Sequence, residues 1–394
     1  MARSSSRLVL VLFFGMLSLG LHGCDNLFLE TTGNGTDIAF TFRGSIDPNN
    51  PANYANQAVP RYINRDNTQG NAITDHGAML GRVLFYDTKL SVDNTVSCAS
   101  CHQQQAAFGD PDVLSAGVNG LTGRQSMRLV NPRFATERRF FWDERANTLE
   151  VQTTMPIQDH IEMGFSGENG APTFADLTER MSGYLYYQQL FNVAFGTPEI
   201  TEERMQLALA QFVRSIQAFD SRFDEGRMQA GSLNAAFPNF TVDENTGKQL
   251  FFGAPQFQGR NRVGGGLGCG GCHRGETLDI DPQSLNNGVV SNANGGADFT
   301  VTRSPSLRDL FAPQGHLNTP LMHDGSHTTI DAVLDHYNII DGMGNPNLDQ
   351  RLARGGGQRL NITADERVAL IAFLKTLTSQ NLYTDEKWSD PFPR

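Results

Sequence analysis

The feature that most constrains this chain is the pattern C-x-x-C-H, which occurs twice, at residues 98–102 and 269–273. A similar segment precedes each copy: GRVLFY begins at Gly81 and GKQLFF begins at Gly247. Each segment joins a glycine and a basic residue to an apolar, aromatic helix end. Such an internal repeat predicts two domains of common ancestry, each with its own C-x-x-C-H unit.

Two thiols three residues apart at the start of a helix can each add to a vinyl group of one porphyrin, and a histidine directly after them can bind the iron. A zinc site or a thiol redox pair would explain one pair of cysteines. Neither explains a histidine after both pairs, so the pattern predicts two covalently bound haems c. The residues predicted to hold them are Cys98, Cys101 and His102 for the first haem and Cys269, Cys272 and His273 for the second.

The sixth ligand of each iron decides between an electron carrier and an enzyme, because an enzyme needs an open position. For the first haem, residues 103–141 contain no histidine, and Met127 is their only soft ligand. Three explanations of this missing ligand are open: an open iron, a distant ligand such as His76 or His160, or a ligand from the other domain. The open iron is the more specific interpretation. The candidates for the second haem are Met322, His323, His327, His336, Tyr337 and Met343.

The N-terminus is typical of a bacterial lipoprotein leader. Basic residues precede the apolar run 8–20, which is too short to span a membrane, and the run leads into LHGC. We expect residues 1–23 to be a lipoprotein signal peptide and Cys24 to carry a lipid anchor on the periplasmic side of a bacterial membrane. An ordinary secretory signal is the alternative. Residues 24–70 are rich in Asn, Gly, Thr and Pro, which indicates a flexible tether.

Composition and periodicity predict a mainly α fold with long loops. Only 39% of the residues are hydrophobic and 40 are glycines, so a prosthetic group would supply part of the packing. Apolar residues recur at helical spacing in 201–228 and 363–379, with Thr201 and Thr363 as candidate N-caps. No alternating run is long enough for a large sheet. The net charge of −11 makes nucleic acid an unlikely partner and favours small basic electron carriers.

The chain resembles the bacterial dihaem cytochrome c peroxidases, the family that includes MauG. The resemblance covers about residues 72–382 and rests on five markers in the family's order. They are CASCH from Cys98, FWDERA from Phe141, PIQDHIEMG from Pro156, CGGCH from Cys269 and MHDGS from Met322. It implies two cytochrome c-like haem domains, a peroxidatic one over residues 71–235 and an electron-transfer one over residues 236–394.

The resemblance also implies catalytic residues. In the family a tryptophan lies between the haems, and Trp142 falls on it. At the family's spacing from Trp142 follow an active-site glutamine at Gln152, a proline near the open face at Pro156 and an acid–base glutamate at Glu162. Taken alone, each could be an ordinary core, helix or loop residue. The matched spacing favours the catalytic interpretation.

Two departures from the ordinary peroxidases favour the MauG-like branch. The ordinary enzymes have a loop histidine that blocks the peroxidatic iron, and its place near Val118 holds none here. Their distal methionine on the second haem is replaced by Tyr337, as in MauG, so Tyr337 is the implied sixth ligand. The family also holds a calcium ion between its domains, whose asparagine ligand falls at Gln125.

The implied function is reduction of hydrogen peroxide to water with electrons from a small cytochrome c, a cupredoxin or a similar donor. A MauG-like oxidase that modifies an aromatic residue of a partner protein is the first alternative. A dihaem electron carrier without enzyme activity is the second. Family members often form homodimers, and the resemblance extends that expectation to this chain.

Overall fold

A computed structural model of the protein describes residues 37–136, 139–292, 295–318, 320–342 and 344–393. The predicted signal peptide and Cys24 lie outside these residues, so the lipoprotein leader stays a prediction. Within the described ranges, no helix is both long enough and apolar enough to cross a membrane.

Helices dominate the described part of the chain, which confirms the mainly α prediction. They are α1 (Ile38–Phe42), α2 (Asp75–Tyr86), α3 (Cys98–Cys101), α4 (Leu149–Gln158), α5 (Phe174–Ser182), α6 (Leu185–Phe195), α7 (Glu202–Ser215), α8 (Arg222–Gln229), α9 (Val242–Phe252), α10 (Ile330–Asn338), α11 (Gln350–Ala353) and α12 (Ala364–Lys375). Long loops and short 3-10 turns connect them.

The strands are short and form small sheets, as the lack of long alternating runs predicted. They are β1 (Ala116–Gly117), β2 (Gly120–Leu121), β3 (Pro255–Gln258), β4 (Asn261–Gly265), β5 (His273–Arg274), β6 (Asp279–Ile280), β7 (Ile339–Asp341) and β8 (Gly357–Arg359). The largest described sheet has the order β3-β4-β8-β7, in which only the β4–β8 pair is parallel. The pairs β1–β2 and β5–β6 are antiparallel two-stranded sheets.

The two predicted N-caps begin helices in the structure. The Thr201 side chain accepts a hydrogen bond from the Arg204 amide at the start of α7. Thr363 and Glu366 form a capping box at the start of α12. In both places a side-chain oxygen satisfies an amide that has no partner inside the helix, which is why the sequence signal was sufficient.

The internal repeat corresponds to two pairs of crossing helices. Helix α2 packs against α7, and α9 packs against α12. At the first crossing, a Cβ added to Gly81 would overlap the Ala208 carbonyl; at the second, a Cβ added to Gly247 would overlap the Ala369 carbonyl. The glycine shared by the two copies therefore allows each pair of helix backbones to touch.

The basic residue after each of these glycines is buried and holds a separate segment of chain. Arg82 Nε donates to the Ser389 carbonyl at 2.7 Å. Lys248 Nζ donates to the Leu233 and Ala235 carbonyls, each at 2.6 Å. The repeat therefore has the same two roles in both halves. The glycine allows a second helix to pack closely, and the basic residue holds a distant segment by hydrogen bonds.

Buried apolar side chains form two clusters, one in each half of the chain. The first runs from Ile38 to Ala218 and includes Leu382 and Trp388. The second runs from Phe223 to Leu377. The clusters therefore differ from the predicted division at residue 235 in two ways. Residues from 223 onward already belong to the second core, and the C-terminal segment returns to the first.

The prediction of a flexible tether over residues 24–70 is wrong from residue 37 onward. Phe42, Ile46 and Tyr54 are buried in the first core. The Tyr54 hydroxyl donates to the Lys387 carbonyl at 2.7 Å, and the Tyr54 amide donates to Asp75 Oδ1 at 2.7 Å. The polar composition of this segment concealed a few large side chains that anchor it.

We predict that Gly81→Ala and Gly247→Ala each lower the free energy of unfolding by about 1–3 kcal/mol, because the new methyl group must push two helices apart. Urea or thermal unfolding of the haem-loaded protein measures the change. Gly231→Ala is the matched control, since an added Cβ meets nothing within 4 Å there. Equal stability of all three variants would show that the crossings are not tightly packed.

Candidate functional site

The first C-x-x-C-H unit opens onto a cavity that Cys98, Cys101 and His102 line. Helix α3 carries both cysteines, and the His102 Nδ1 atom lies 2.9 Å from the Phe108 carbonyl. Ala107 and Phe108 both have positive φ angles, near +55°, which turns the chain so that this carbonyl faces back to the imidazole. A hydrogen bond at Nδ1 leaves Nε2 available to bind a metal ion.

The second unit has the same arrangement of cysteines and histidine, but its backbone forms a different kind of turn. A 3-10 turn, Cys269–Gly271, replaces the α-helical turn, and His273 Nδ1 lies 3.0 Å from the Pro305 carbonyl. His273 lines a second cavity, where burial lowers its pKa to about 4. A neutral imidazole with a committed Nδ1 is the form that binds iron.

The thiols of both units fit haem attachment better than a redox pair or a zinc site. All four cysteines are free of disulfides. Burial raises the pKa of Cys98 to about 12 and that of Cys101 to about 11, whereas redox and metal-binding thiols have lowered values. The described residues contain no cluster of His, Cys, Asp and Glu that could hold a metal ion. The residues present therefore fit two haems c.

Helix α4 brings Gln152 and Pro156 to the first cavity. The Thr148 side chain caps the start of this helix, and the two residues lie one turn apart on the face that lines the cavity. Pro156 has no amide hydrogen to give to the preceding turn, so it contributes only apolar surface there. The structure thus places both predicted residues in the cavity of the first C-x-x-C-H unit; their catalytic roles stay predictions.

Glu162 lies in the turn after α4 and lines the same cavity. The Asp159 carboxylate fixes this turn by accepting hydrogen bonds from the Ile161 amide at 2.8 Å and the Glu162 amide at 3.0 Å. A smaller outer cavity begins at Glu162 and Pro156 and is also lined by Asp159 and Arg145. Glu162 therefore lies where the inner cavity meets an opening to the surface.

The Glu162 carboxyl is poised for proton transfer near neutral pH. Burial and, to a smaller extent, the Asp159 charge raise its pKa to about 7, while the Arg145 charge opposes this increase. Among the described residues, no side chain or amide forms a hydrogen bond with this carboxyl. An acid–base group works best when its pKa lies near the working pH and its lone pairs are free to reach a substrate.

The segment around Val118, where ordinary peroxidases have the loop histidine, is part of the β1–β2 hairpin. The Val118 amide donates to the Glu162 carbonyl at 3.0 Å, and the Asn119 amide donates to the Ile161 carbonyl at 3.2 Å. A Cβ on Gly117 would overlap the Ile161 carbonyl. The hairpin therefore supports the turn that carries Glu162, a role that the sequence reasoning missed and that only Gly117 could have signalled.

Trp142 lines both cavities, as expected for a residue between two haems. Its side chain is 9% exposed, and its Nε1 atom donates to the Gln125 carbonyl at 2.8 Å. On the side of the second cavity, its ring centroid lies 6.2 Å from that of His323, nearly edge-on. The indole is thus fixed in the wall that the two sites share.

Tyr337 and Met322 both line the second cavity together with His273. One amide connects them: Asn287 Nδ2 donates to the Tyr337 hydroxyl at 3.2 Å and lies 3.5 Å from Met322 Sδ. Burial raises the pKa of Tyr337, and the hydrogen bond from Asn287 opposes that increase. Asn287 gave no signal in the sequence, because it lies far from both partners along the chain.

The other ligand candidates have different surroundings. His323 lines the second cavity, but its Nε2 atom lies 2.9 Å from the Ser291 carbonyl. His336 Nε2 lies 3.0 Å from the Asn287 carbonyl, so that nitrogen is also engaged. Neither His327 nor His336 is among the residues that line the cavity, and Met343 lies outside the described residues.

The distant candidates for the first haem do not reach its cavity. His76 Nε2 lies 2.9 Å from the Pro48 carbonyl, and neither His76 nor His160 lines the cavity. Met127 does line it, but its backbone lies beside His102, where it partly opposes the lowering of the imidazole pKa by burial. Met127 thus belongs to the proximal side. These positions favour the interpretation of an open iron.

Gln125, where the family's calcium ligand falls, is engaged in other contacts. Its Nε2 atom donates to the Asp110 carbonyl at 3.0 Å, and its amide donates to the His323 carbonyl at 2.8 Å. Both atoms hold neighbouring loops together. The calcium ion stays a prediction.

Comparisons with known proteins identify the family of the chain. Residues 75–231 match the family model of the di-haem cytochrome c peroxidases. Methylamine utilization protein MauG of Methylorubrum extorquens is 30% identical over 323 residues, which cover 79% of this chain and 81% of that protein. The chain belongs to the di-haem cytochrome c peroxidase family. Cytochrome c551 peroxidase of Nitrosomonas europaea is 27% identical over 76% of this chain and 79% of its own length.

Solved structures give the same result for the fold. A MauG-like protein associated with microbial copper homeostasis has a TM-score of 0.64 and 27% identity, covering 85% of this chain and 99% of its own. The diheme peroxidase BthA from Burkholderia thailandensis has a TM-score of 0.55 and 21% identity, covering 87% and 92%. The prediction of two cytochrome c-like haem domains, close to the MauG-like branch, is confirmed.

We predict that Glu162→Gln increases stability at pH 8 and has little effect near pH 4.5. The folded pKa of about 7 lies above the ordinary value of 4.5, so the folded protein loses stability as pH rises through this interval. Removing the carboxyl should recover about 1–3 kcal/mol at pH 8. Thermal unfolding at both pH values measures the difference.

Glu168→Gln is the control, because Glu168 is an exposed carboxyl in the next loop. It should change stability little at either pH. If Glu162→Gln shows no gain at pH 8 relative to this control, the Glu162 carboxyl is not buried in its charged form.

Proposed function

We propose that the protein reduces hydrogen peroxide to water at its first haem site and takes electrons from a small external donor, such as a cytochrome c or a cupredoxin. One observation carries the proposal: a free carboxyl with a pKa near 7 lies in the cavity of the first C-x-x-C-H unit. A carrier of electrons has no use for such a group. The family itself consists of oxidoreductases that act on peroxide, which is consistent with this choice.

Cys98 and Cys101 would hold the first haem, and His102 would bind its iron. When bound, this haem supplies a metal that can coordinate peroxide and accept its oxidising equivalents. The Phe108 carbonyl keeps the His102 imidazole in one tautomer and one orientation. The second site would be held by Cys269, Cys272 and His273 in the same manner.

Glu162 would move the proton that the reaction requires. Its carboxylate takes the proton from the near oxygen of peroxide and delivers it to the far oxygen, so that water leaves instead of hydroxide. A pKa near 7 allows both halves of this transfer without a large energetic penalty. Gln152 offers an amide that can orient the substrate, and Pro156 keeps the adjacent surface apolar.

Trp142 and Tyr337 would serve the exchange of electrons between the sites. Trp142 lies in the shared wall, where an aromatic ring shortens the distance that an electron must cross. Tyr337 is the proposed sixth ligand of the second haem, with Asn287 holding its hydroxyl. A phenolate bound to the metal of the second haem would favour its oxidised state.

Peroxide turnover by Glu162→Gln tests the acid–base role. We expect kcat to fall by about 10²- to 10⁴-fold, the usual contribution of a positioned acid–base group. In the unmodified protein, kcat/KM should fall as pH drops below about 7, since Glu162 must be ionised to accept the first proton. Glu168→Gln should retain full activity and the same pH profile; unchanged turnover by Glu162→Gln would refute the role.

A MauG-like oxidation of an aromatic residue in a partner protein is the second candidate. It is favoured by the tyrosine in the second cavity and by the hairpin that occupies the place of the loop histidine. The relative named MauG at 30% identity points the same way. A MauG-like oxidase would use the same proton transfer at Glu162. Its electrons would come from an aromatic residue of the partner protein instead of from a small donor.

One assay separates the two candidates. Rapid oxidation of a reduced small cytochrome c in the presence of peroxide supports the peroxidase. Slow oxidation of every such donor, together with a peroxide-dependent mass change in a co-purifying protein, supports the protein oxidase.

Electron paramagnetic resonance of the resting ferric protein tests both candidates against a plain electron carrier. We expect a high-spin signal from an open first haem beside a low-spin signal from a second haem with two axial ligands. Tyr337→Phe should convert the low-spin signal to high-spin and leave the first signal unchanged. Two low-spin signals and no reaction with peroxide would identify a carrier.

The site also leads to proposals for location and partners. A lipid on Cys24 would hold the protein on the periplasmic side of a membrane, where the compartment suits covalent haem attachment. The net charge of −11 would attract a basic donor. A homodimer and an interdomain calcium ion, both implied by the family, remain part of this proposal.

A further inference from the structure

Arg128 lies in the wall that separates the two cavities and lines both of them. Its NH2 atom donates to the Ser306 carbonyl at 3.0 Å, and its NH1 atom lies 3.5 Å from the Asn318 carbonyl. The stem of the side chain passes over Gly109, where an added Cβ would lie 2.9 Å from Arg128 Cγ. Two backbone carbonyls and the packing of the stem over Gly109 thus fix the position of the guanidinium.

Arg128 lies between the two loops whose carbonyl groups face the proximal histidines. The next residue, Leu129, donates its amide to the Phe108 carbonyl, which also accepts the bond from His102 Nδ1. At the other end, Ser306 directly follows Pro305, whose carbonyl lies against His273 Nδ1. Arg128 thus brings one positive charge close to the loops that support His102 and His273.

The charge of Arg128 lacks a counter-ion in the part of the chain that the structure describes. In that part of the chain its hydrogen bonds go to the Ser306 and Asn318 carbonyls and to no carboxylate, and Arg128 Nε is buried with no hydrogen-bond partner. Burial lowers the pKa of Arg128, which shows that the surroundings penalise its charged form. A buried charge is stable only when an anion or a full set of hydrogen bonds compensates it.

Two acidic side chains act on Arg128 through their charges: Tyr383, whose pKa burial raises so that it stays neutral, and Asp309, which is a poor partner. Its Oδ1 atom accepts bonds from the Ser379 amide and hydroxyl at 2.8 and 2.7 Å. Burial raises its pKa to about 6, so part of the population is neutral near pH 6. Arg128 therefore needs an anion that the described residues do not supply.

We propose that Arg128 is a haem-binding residue whose guanidinium pairs with a propionate carboxylate of a haem in the shared wall. Propionates are the anionic groups that each haem brings into a buried site, and a guanidinium with a free Nε suits a carboxylate. This fixed charge raises the reduction potential of the adjacent haem. The inference rests on the two-haem assignment and is independent of which donor or partner the enzyme uses.

Spectroelectrochemical titration of the fully loaded protein tests the proposal. Arg128→Met keeps the length of the side chain but removes the charge, so the oxidised haem, which is more positive, gains stability. We expect the redox equilibrium constant of at least one haem to shift about tenfold toward the oxidised form, a fall of about 59 mV for one electron. Arg128→Lys should keep most of the original potential, and Arg128→Gln should behave as Arg128→Met.

Arg180→Met is the matched control. Arg180 is a half-buried guanidinium that donates to the Ser91 carbonyl at 2.8 Å and the Val92 carbonyl at 3.1 Å, and it lines neither cavity. Its loss should leave both potentials unchanged. Unchanged potentials in Arg128→Met would overturn the proposal, and so would an equal fall in Arg128→Lys, which would indicate packing instead of charge.

Haem content gives the second measurement. If Arg128→Met loses haem, restoration of haem content by Arg128→Lys supports pairing with an anion, and equal loss in both variants contradicts it. Unchanged potentials in Arg128→Met overturn this proposal whatever its peroxide turnover, whereas unchanged turnover in Glu162→Gln bears only on the proposed function.

Discussion

Two imidazole-to-carbonyl hydrogen bonds determine the arrangement of the rest of this molecule. His102 faces the Phe108 carbonyl and His273 faces the Pro305 carbonyl. Each bond fixes which nitrogen of the ring faces its cavity, and each depends on a loop held by distant residues. The walls, the tryptophan and the buried arginine are all placed relative to these two rings.

The two halves share their scaffold but differ at the distal side of each cavity. Both copies have a glycine at the helix crossing and a basic residue beside it, Arg82 in the first and Lys248 in the second. The first cavity ends in a carboxyl and an opening, while the second ends in a phenol held by an amide. The two sites thus have similar scaffolds, and the loops after each proximal histidine give them different chemistry.

The sequence was sufficient to predict positions wherever residues stand at fixed short spacing. The caps at Thr201 and Thr363 and the placement of the series from Trp142 to Glu162 on one cavity are of this kind, while the catalytic roles of that series stay predictions. It was insufficient where the partner is a distant backbone group or a residue far along the chain. The hairpin against the Glu162 turn and the amide of Asn287 depend on such contacts. Polar composition also concealed the buried Phe42, Ile46 and Tyr54.

The return of the C-terminal segment to the first core has a consequence for biosynthesis. Trp388 is buried in that core, its Nε1 atom donates to Ser215 Oγ at 3.3 Å, and its carbonyl accepts the Tyr86 hydroxyl at 2.6 Å. The first core therefore cannot close until residues 382–388, far along the chain, have been translated. The helices around the second haem, by contrast, are complete before that segment arrives. Closure of these long-range contacts is slow compared with local helix formation. The half of the chain that is made first is thus the half that matures last.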